Sequence, residues 1–270
     1  MSYTTFNEAF ATTTYPAGER HVSADQVEAL RGIETIEARV RTFDDLCEVV
    51  VANRILVRNG IEVEWFLPYF PFARHDRRNH AGDGLEITLA LELVAELDIV
   101  IADPHSEVAA ALAYFPQESV VSVMRSAGAF DNDPIVVVPD AGAAKKTYEW
   151  VGGADTVQAL KRRDPHTGRL SNFEVIAEGL NGRPCIIVDD ICDGGGTFLG
   201  LAEQLRTVHN AGPLTLVVTH GLFTKGLEAL TTVFDRIYTF APTDEASTAT
   251  SADGVTRLPF QLLYEKGTRR

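Results

Sequence analysis

The sequence predicts an α/β fold with mainly parallel sheets, and three observations lead to this prediction. Short apolar runs alternate with helical patterns along most of the 270 residues, as in parallel sheets joined by helical crossovers. The alternation breaks at a cluster of Gly, Asn, Asp and Pro over residues 128–134 and then restarts. Several polar site candidates directly follow predicted strands, where α/β sheets bind their ligands. The residues that follow these strands are Pro68, Asp103, Asp140, Lys161 and Asp189.

The first series of elements predicts an N-terminal α/β domain over residues 1–127. Apolar residues recur with helical spacing from Phe43 to about Asn59, and Gly60 fits a C-terminal cap. The other elements predicted here are strands over Val63–Leu67 and Ile99–Ala102 and helices over Leu85–Leu97 and Glu107–Tyr114.

The second series predicts a C-terminal α/β domain over residues 128–255. Its predicted strands are Ile135–Val138, Val157–Leu160, Cys185–Val188, Leu214–Thr219 and Arg236–Phe240. Its predicted helices are Ala143–Val151, Phe198–Asn210 and Lys225–Leu230. Small polar residues from Thr243 to Gly254 predict an exposed loop.

Composition and charge argue against several classes of protein. Hydrophobic residues make up 45% of the chain, so a sizeable core is available. A net charge of −14 argues against general binding to nucleic acid or to membranes, and neither partner is expected. The three cysteines give neither a disulfide framework nor metal-ligand spacing. No apolar run approaches the ~18–20 residues that span a bilayer, and the polar N-terminus does not look like a signal peptide, so a cytoplasmic protein is expected.

The most informative segment runs from Cys185 to Phe198 (CIIVDDICDGGGTF). An apolar strand ends in Asp189 and Asp190, and three glycines with Thr197 lead into a helix. Backbone N–H groups and the helix dipole at such a corner favour an anion, and glycines let it approach closely. The carboxylates would repel a phosphate, so they fit sugar hydroxyls or a divalent cation. The segment therefore predicts a site for a phosphorylated ribose, and the alternative is an ordinary strand–turn–helix corner.

This segment resembles the phosphoribosyl-pyrophosphate loop that phosphoribosyltransferases share with ribose-phosphate pyrophosphokinases. Further segments resemble the pyrophosphokinases, in the same order and with similar spacing from about residue 15 to 240. They are Tyr15–Glu19 (YPAGE), Leu67–Arg78 (LPYFPFARHDRR), Asp103–His105 (DPH), Val138–Lys145 (VPDAGAAK), Lys161–Arg163 (KRR) and Thr219–Phe223 (THGLF). The resemblance implies two phosphoribosyltransferase-like, Rossmann-like domains, with residues 256–270 completing the first.

The resemblance also implies an activity and its partners. Such an enzyme transfers the β,γ-diphosphoryl group of ATP, with Mg²⁺ as cofactor, to the C1 hydroxyl of ribose 5-phosphate and releases AMP. Positive charge concentrated in two short segments suits a polyphosphate site of this kind. These segments contain Arg74, Arg77 and Arg78 and then Lys161, Arg162 and Arg163. A homo-oligomer, a dimer or larger, is expected.

Residue roles follow from the matched segments. The resemblance places Arg74 and His75 on ATP, and Glu19 on the adenine held by a neighbouring subunit. It assigns His105 and Asp140 to the metal, and Lys161 and Arg163 to transition-state charge from a loop that runs to about Phe173. The ribose-phosphate site would consist of Asp189 and Asp190 on the sugar hydroxyls, with Asp193, Gly194, Gly195, Gly196 and Thr197 around the 5-phosphoryl group.

The sugar loop departs from the family pattern, in which Asp-Thr is followed by a small residue and Gly-Thr. Gly194 stands where that threonine is expected, which removes a hydroxyl donor and is expected to open space beside the loop. ADP-ribose, the acceptor of related phage-type enzymes, is therefore an alternative to ribose 5-phosphate. A non-catalytic regulatory subunit and a phosphoribosyltransferase are the alternatives from other classes.

Overall fold

The chain forms two α/β units, which are described here from a computed structural model. The first unit contains the described residues up to Pro116 together with Thr268–Arg270, and the second runs from Gln117 to Ala241 and continues after residue 252 to Gly267. The structure describes residues 2–78, 80–151, 155–163, 170–177, 179–241 and 253–270, with the backbone alone for residues 141, 161–163 and 170–174.

A parallel sheet of five strands, counted over the described residues, forms the first unit in the order β1-β4-β5-β6-β7. Strands β2 and β3 pair separately as an antiparallel hairpin. The strands are β1 Tyr3–Thr5, β2 Ala11–Thr14, β3 Arg20–Ser23, β4 Thr35–Glu37, β5 Glu64–Leu67, β6 Ile99–Ala102 and β7 Ala113–Phe115. The helices are α1 Phe6–Ala9, α2 Phe43–Arg58 and α3 Glu86–Leu93, with 3₁₀ turns at Val27–Leu30 and Ala109–Ala111.

Helix α2 confirms the helical pattern read from the sequence, and its ends explain why it forms there. Thr42 caps it by accepting a hydrogen bond from the Asp45 N–H at 3.2 Å, and the Asp45 carboxylate accepts one from the Thr42 N–H at 2.9 Å. Gly60 follows the helix with φ +66°, which suits a glycine. One stripe of the helix is buried in the core of the first unit and comprises Leu46, Val49, Ala52 and Leu56.

The predicted helix over Glu107–Tyr114 is wrong. This segment contains a single 3₁₀ turn and then strand β7, which pairs in parallel with β6. Pro116 disfavours helical backbone at the residue before it, so Phe115 is extended. Tyr114 also exchanges two backbone hydrogen bonds with Arg270, which fixes the extended conformation from the other side.

A sheet of seven strands, again counted over the described residues, forms the second unit in the order β10-β9-β8-β11-β12-β13-β14. Neighbouring strands are parallel except β9 and β10. The strands are β8 Ile135–Val138, β9 Thr156–Arg163, β10 Leu170–Ile176, β11 Cys185–Cys192, β12 Leu214–Gly221, β13 Arg236–Ala241 and β14 Val255–Pro259. The helices are α4 Gln117–Ser126, α5 Ala141–Trp150, α6 Gly196–Thr207, α7 Glu228–Val233 and α8 Gln261–Lys266.

The units divide the chain differently from the predicted domains 1–127, 128–255 and 256–270. The first boundary lies at Pro116, because α4 contacts α5, α8 and β12 and so belongs to the second unit. Strand β14 extends the second sheet beside β13. There its backbone N–H and C=O groups form hydrogen bonds with the edge of β13. Only Thr268–Arg270 of the tail complete the first unit.

The predicted catalytic loop from Lys161 to about Phe173 is partly a hairpin. Strand β9 continues through Arg163, and β10 returns antiparallel to it from Leu170, with Phe173 opposite Lys161. Residues 164–169 between them lie outside the described residues, as does most of the predicted loop over Thr243–Gly254. Within the part of the chain described, no helix is both long and apolar enough to cross a membrane.

Candidate functional site

The acidic pair lies inside strand β11 rather than after it. Strand β11 pairs with β8 only as far as Ile187, but it stays paired with β12 through Cys192. Asp189 and Asp190 therefore lie where β11 continues past the last residue paired with β8. This is the carboxyl edge of a parallel sheet, where α/β proteins bind ligands.

Lys146 of α5 neutralises part of the charge of this pair, and the sequence analysis did not single it out. Its Nζ lies 3.3 Å from Oδ2 of Asp190, whose side chain is only 10% exposed. Lys146 directly follows Lys145, the last residue of the segment that matches the family. In the sequence it could be noticed only as a second basic residue on the helix after Asp140. The ion pair thus places a positive charge beside a carboxylate that has little access to water.

The surroundings of Asp189 favour the neutral form of its carboxyl group. Burial raises the pKa of the Asp189 carboxyl well above its usual range, and the negative charge of Asp190 raises it further. Asp140 adds to this shift, while Lys146 and a hydrogen bond from the Asp190 N–H to Asp189 Oδ1 (2.9 Å) oppose it. A ligand that brings positive charge or hydroxyl donors would relieve the repulsion within this acidic pair.

Asp140 stands at the end of β8 as the N-cap of α5. Its Oδ1 accepts hydrogen bonds from the N–H groups of Gly142 (2.9 Å) and Ala143 (3.0 Å), which explains why an Asp precedes this helix. Both bonds end on the same oxygen. The negative charge of Asp140 also raises the pKa of Asp189, so these two carboxyl groups interact electrostatically.

These carboxyls fit Mg²⁺ by their chemistry, because Mg²⁺ prefers hard oxygen ligands. Among the residues that the structure describes, no three His, Cys, Asp or Glu side chains converge as a complete metal site. Mg²⁺ commonly binds through one or two carboxylates and takes its other ligands from phosphate oxygens and water. The donor set at Asp140 and Asp189 is therefore compatible with a metal that arrives with a nucleotide.

The glycines shape the corner between β11 and α6. Gly195 has φ +76°, and a Cβ there would also lie 3.2 Å from both Cδ atoms of Leu230. Helix α6 begins at Gly196, two residues before the predicted start, and its N-cap Gly195 has no side chain to cap it. Gly196 and Thr197 are thus in the first helical turn, whose N–H groups attract anions.

Asp193 is tied to the turn that follows β12. The hydroxyl of Thr224 donates to Asp193 Oδ1 at 2.6 Å, and the Thr224 N–H donates to the Asp193 carbonyl at 3.0 Å. The N–H groups of Leu222 and Phe223 both donate to the carbonyl of Cys192. One oxygen of Asp193 therefore helps to hold the loop in place, a role that the sequence did not reveal.

Cys192 adjoins the site but is unsuited to nucleophilic chemistry. Its side chain is fully buried, and burial, followed by the charges of Asp189 and Asp193, raises the pKa of its thiol to about 12. A buried thiol with a raised pKa supplies little thiolate, which is the form that acts as a nucleophile.

The candidate ATP residues lie in the first unit on exposed turns. Arg74 and His75 follow β5, and His75 Nδ1 lies 3.0 Å from Glu86 Oε2. Phe72 adopts φ +61°, and its ring stacks on Phe43 at 4.1 Å between centroids. The turn is therefore anchored by an aromatic pair, while Arg74 and His75 face solvent.

His105 and Glu19 are also exposed. His105 follows Asp103, which is buried at the end of β6 with φ +40° and donates its N–H to the Phe115 carbonyl at 2.7 Å. Glu19 ends the turn between β2 and β3, where its carbonyl accepts the Tyr15 N–H at 2.8 Å. Glu19 also lines a cavity of about 270 Å³ beside α2.

The structure thus brings the sugar-loop candidates together with Asp140 and adds Lys146 and Thr224. The candidates of the first unit, Glu19, Arg74, His75 and His105, are described within that unit. Lys161 and Arg163 are placed by their backbone on β9, and their side chains lie outside what the structure describes.

Comparison with known proteins identifies the family. The chain is 30% identical over 224 residues to a ribose-phosphate pyrophosphokinase of Sulfurisphaera tokodaii, an alignment that covers 77% of this chain and 75% of that protein. It is 29% identical over 191 residues to a ribose-phosphate pyrophosphokinase of Mycoplasma pneumoniae, covering 67% and 57% of the two chains. Over 184 residues it is 26% identical to ribose-phosphate pyrophosphokinase 4 of Saccharomyces cerevisiae, covering 65% and 56%.

The fold has a close counterpart among solved structures. The phosphoribosylpyrophosphate synthetase of Mycobacterium smegmatis matches with a TM-score of 0.76 at 20% identity, over 97% of this chain and 95% of that one. No protein-family model matches the chain. The fold and the acidic glycine loop define a phosphoribosyltransferase-like α/β protein. Within that class, the chain belongs to the ribose-phosphate pyrophosphokinase family, although it spans little more than half the length of the Mycoplasma and yeast relatives.

Proposed function

We propose that this chain transfers the β,γ-diphosphoryl group of Mg-ATP to the C1 hydroxyl of a ribose 5-phosphoryl compound and releases AMP. The observation that carries this proposal is the corner between β11 and α6. There, two adjacent carboxyls precede a helix whose N-cap is a glycine with no capping side chain. The carboxyls suit hydroxyl groups and the helix end suits a phosphate, and a phosphorylated ribose offers both.

Asp189 and Asp190 would orient the ribose through its 2- and 3-hydroxyls. Lys146 supports this role, since its Nζ lies 3.3 Å from Oδ2 of Asp190 and holds that carboxylate at the carboxyl edge of the sheet. Gly194, Gly195 and Gly196 would turn backbone N–H groups toward the 5-phosphoryl group, with Thr197 in the same turn. Holding the sugar in this way supplies the orientation that an in-line attack requires.

Asp140 would hold Mg²⁺ in the second unit, and His105 is the metal candidate of the first. When bound with ATP, Mg²⁺ offsets the negative charge of the phosphate oxygens. The two cap bonds to Oδ1 support this role, because they hold the Asp140 carboxylate at the N-terminus of α5.

The ATP side of the proposal rests on Arg74, His75 and Glu19, which are carried over from the matched segments. Lys161 and Arg163 would stabilise the negative charge of the transition state. The backbone of both residues lies on β9, which pairs with β8 and β10. The expected homo-oligomer and cytoplasmic location stay predictions.

Two acceptors fit the loop, ribose 5-phosphate and ADP-ribose. The space expected beside Gly194 is not open, because the side chain of Lys225 fills it. Gly196 is different, since a Cβ there would meet no atom within 4 Å. We take ribose 5-phosphate as the main acceptor and keep ADP-ribose as the second candidate because of the open space at Gly196.

The test is AMP release from Mg-ATP by the purified chain, with each acceptor in a separate reaction and the sugar product identified by mass. We expect AMP only when an acceptor is present, together with a sugar that has gained a diphosphoryl group. Asp190→Asn should lower this rate by about 100-fold or more, because the sugar loses its orienting carboxylate. Glu203→Gln, the same kind of charge change on an exposed face of α6, should leave the rate unchanged.

Other outcomes would favour the remaining classes. A chain that makes no AMP alone but co-purifies with an active homologue would be a regulatory subunit. Consumption of the pyrophosphorylated sugar with a free nucleobase would indicate a phosphoribosyltransferase.

A further inference from the structure

Lys225, in the turn after β12, lies against the glycine loop. A Cβ built on Gly194 would lie 3.2 Å from Cδ and Cε of Lys225 and 3.4 Å from its Cγ. The aliphatic part of Lys225 therefore occupies the volume that a side chain at position 194 would take. The threonine expected there by family resemblance has been exchanged for a glycine, and a lysine from another segment fills its place.

The backbone fixes Lys225 at this position. The three residues before it, Leu222, Phe223 and Thr224, each donate a backbone hydrogen bond to the carbonyls of Cys192 or Asp193. Behind it, the Gly226 N–H donates to the Phe223 carbonyl at 2.9 Å, and Gly226 has φ +78°. Backbone hydrogen bonds thus join this tight turn to the two residues directly before Gly194, and they hold the Lys225 backbone beside the loop.

The charge of Lys225 lies at the rim of the anion-binding corner. Because a C–N single bond is about 1.5 Å long, its ammonium lies within about 5 Å of the Cβ position of Gly194. Lys225 is exposed, so its ammonium is accessible to an incoming anion. Its three donors and positive charge add to the partial positive charge at the start of α6.

We propose that Lys225 binds the 5-phosphoryl group of the sugar. It replaces the hydroxyl donor that is missing at Gly194 with a full positive charge. This inference rests on the proposed function, since it takes the corner between β11 and α6 as a ribose 5-phosphoryl site.

The experiment compares Lys225→Met and Lys225→Arg in steady-state kinetics, with ribose 5-phosphate and with ADP-ribose at saturating Mg-ATP. Lys225→Met should raise the KM of the sugar about tenfold or more, the size expected for losing a hydrogen bond to a charged group. The KM of ATP should stay constant, and Lys225→Arg should stay within about threefold of the unchanged protein. Lys266→Met, which removes the same charge from an exposed position on α8, serves as the control.

A second pair of variants tests the contact with Gly194 itself. Gly194 does not have a positive φ, so a threonine there is compatible with the backbone. Gly194→Thr should displace the lysine side chain and supply a hydroxyl in its place. In the Gly194→Thr background, Lys225→Met should therefore change the KM of the sugar by less than about twofold, which is the coupling expected for residues in contact.

The outcomes separate this inference from the proposed function. If the unchanged protein turns over either sugar and Lys225→Met leaves the KM of that sugar unaltered, the role of Lys225 is refuted while the function stands. If the unchanged protein turns over neither sugar, the proposed function fails, and calorimetric titration with ribose 5-phosphate decides about Lys225. Weaker binding by Lys225→Met than by Lys266→Met would then support the role of Lys225. Equal binding by the two variants, or no binding by the unchanged protein, would overturn that role.

Discussion

The candidate sugar site at the corner between β11 and α6 differs in construction from the candidate nucleotide and metal residues of the first unit. In the second unit the candidate residues are fixed by the backbone and by partly buried charges, such as Asp190 beside Lys146 and Asp193 beside Thr224. In the first unit Arg74, His75 and His105 are exposed at the ends of turns.

This difference shows how each region would obtain its specificity. A preorganised corner fixes its ligand without rearrangement, which favours orientation of the reacting sugar. Exposed side chains such as Arg74 and His75 are less constrained by the fold, and under the proposed function the nucleotide would fix their positions. Substitutions in the second unit should therefore affect stability and function together, and those in the first should affect function with little change in stability.

The largest effect on stability is expected for Gly221→Ala, at the end of β12. The new methyl group would lie 2.3 Å from Cε2 of Phe223 and 2.7 Å from Oγ1 of Thr239. We expect a loss of about 2–3 kcal/mol in the free energy of unfolding, because the surrounding groups must shift. Urea denaturation measures it. Gly196→Ala, which meets no atom within 4 Å, should leave that free energy unchanged or slightly higher; equal losses in the two variants would contradict the close packing described for Gly221.

Lys146→Met should have the second largest effect on stability, because it removes the ion-pair partner of Asp190, whose side chain is only 10% exposed. Lys146 itself is 31% exposed, and water screens part of the interaction. We therefore expect a loss of about 1–2 kcal/mol in the free energy of unfolding, below the range for fully buried pairs. The KM of the sugar should rise, and Lys146→Arg should recover most of both losses. A variant with normal stability but a raised KM would indicate that Lys146 acts on the ligand directly.

Asp189→Asn tests the electrostatics of the corner through pH. The folded-state pKa of Asp189 lies above the unfolded value of about 3.9, so the folded protein binds this proton more tightly. Ionising Asp189 therefore costs stability increasingly as the pH rises above that value, and costs nothing below it. Asp189→Asn should accordingly raise the melting temperature at pH 7, and the gain should fade as the pH approaches 4. A constant gain across this range would mean that the charge of Asp189 is not its source.

The smallest effect is expected in the first unit, for Glu86→Gln. The pair of His75 and Glu86 has side chains that are 56% and 41% exposed, and such pairs contribute little. We expect the free energy of unfolding to change by no more than ~0.5 kcal/mol. A loss as large as that of Lys146→Met, measured in the same urea titration, would remove the contrast between the two units.

The sequence predicted best the features that depend on local patterns. Helix α2 and the strands around Phe66, Ile101 and Ile187 carry apolar runs or helical spacing that leave little choice of structure. The glycine loop was found because its residue types have a direct chemical meaning at a strand end. The family followed from several such segments in order.

Features that depend on distant parts of the chain escaped the sequence analysis. Strand β7 forms beside β6 and is fixed by Arg270, which is far from it in sequence. The ion pair of Lys146 with Asp190 and the contact of Lys225 with Gly194 likewise join separate segments. No local periodicity encodes such pairings, because each depends on how strands and helices assemble.

The central claim is that the corner between β11 and α6 binds a ribose 5-phosphoryl compound, with Asp190 on the hydroxyls of the sugar. Calorimetric titration of ribose 5-phosphate into the unchanged protein, Asp190→Asn and Glu203→Gln tests it most directly, because binding is measured apart from turnover. The account predicts binding by the unchanged protein and by Glu203→Gln, with an affinity at least about tenfold weaker for Asp190→Asn. Equal affinity for all three proteins, or no binding to any of them, would contradict it.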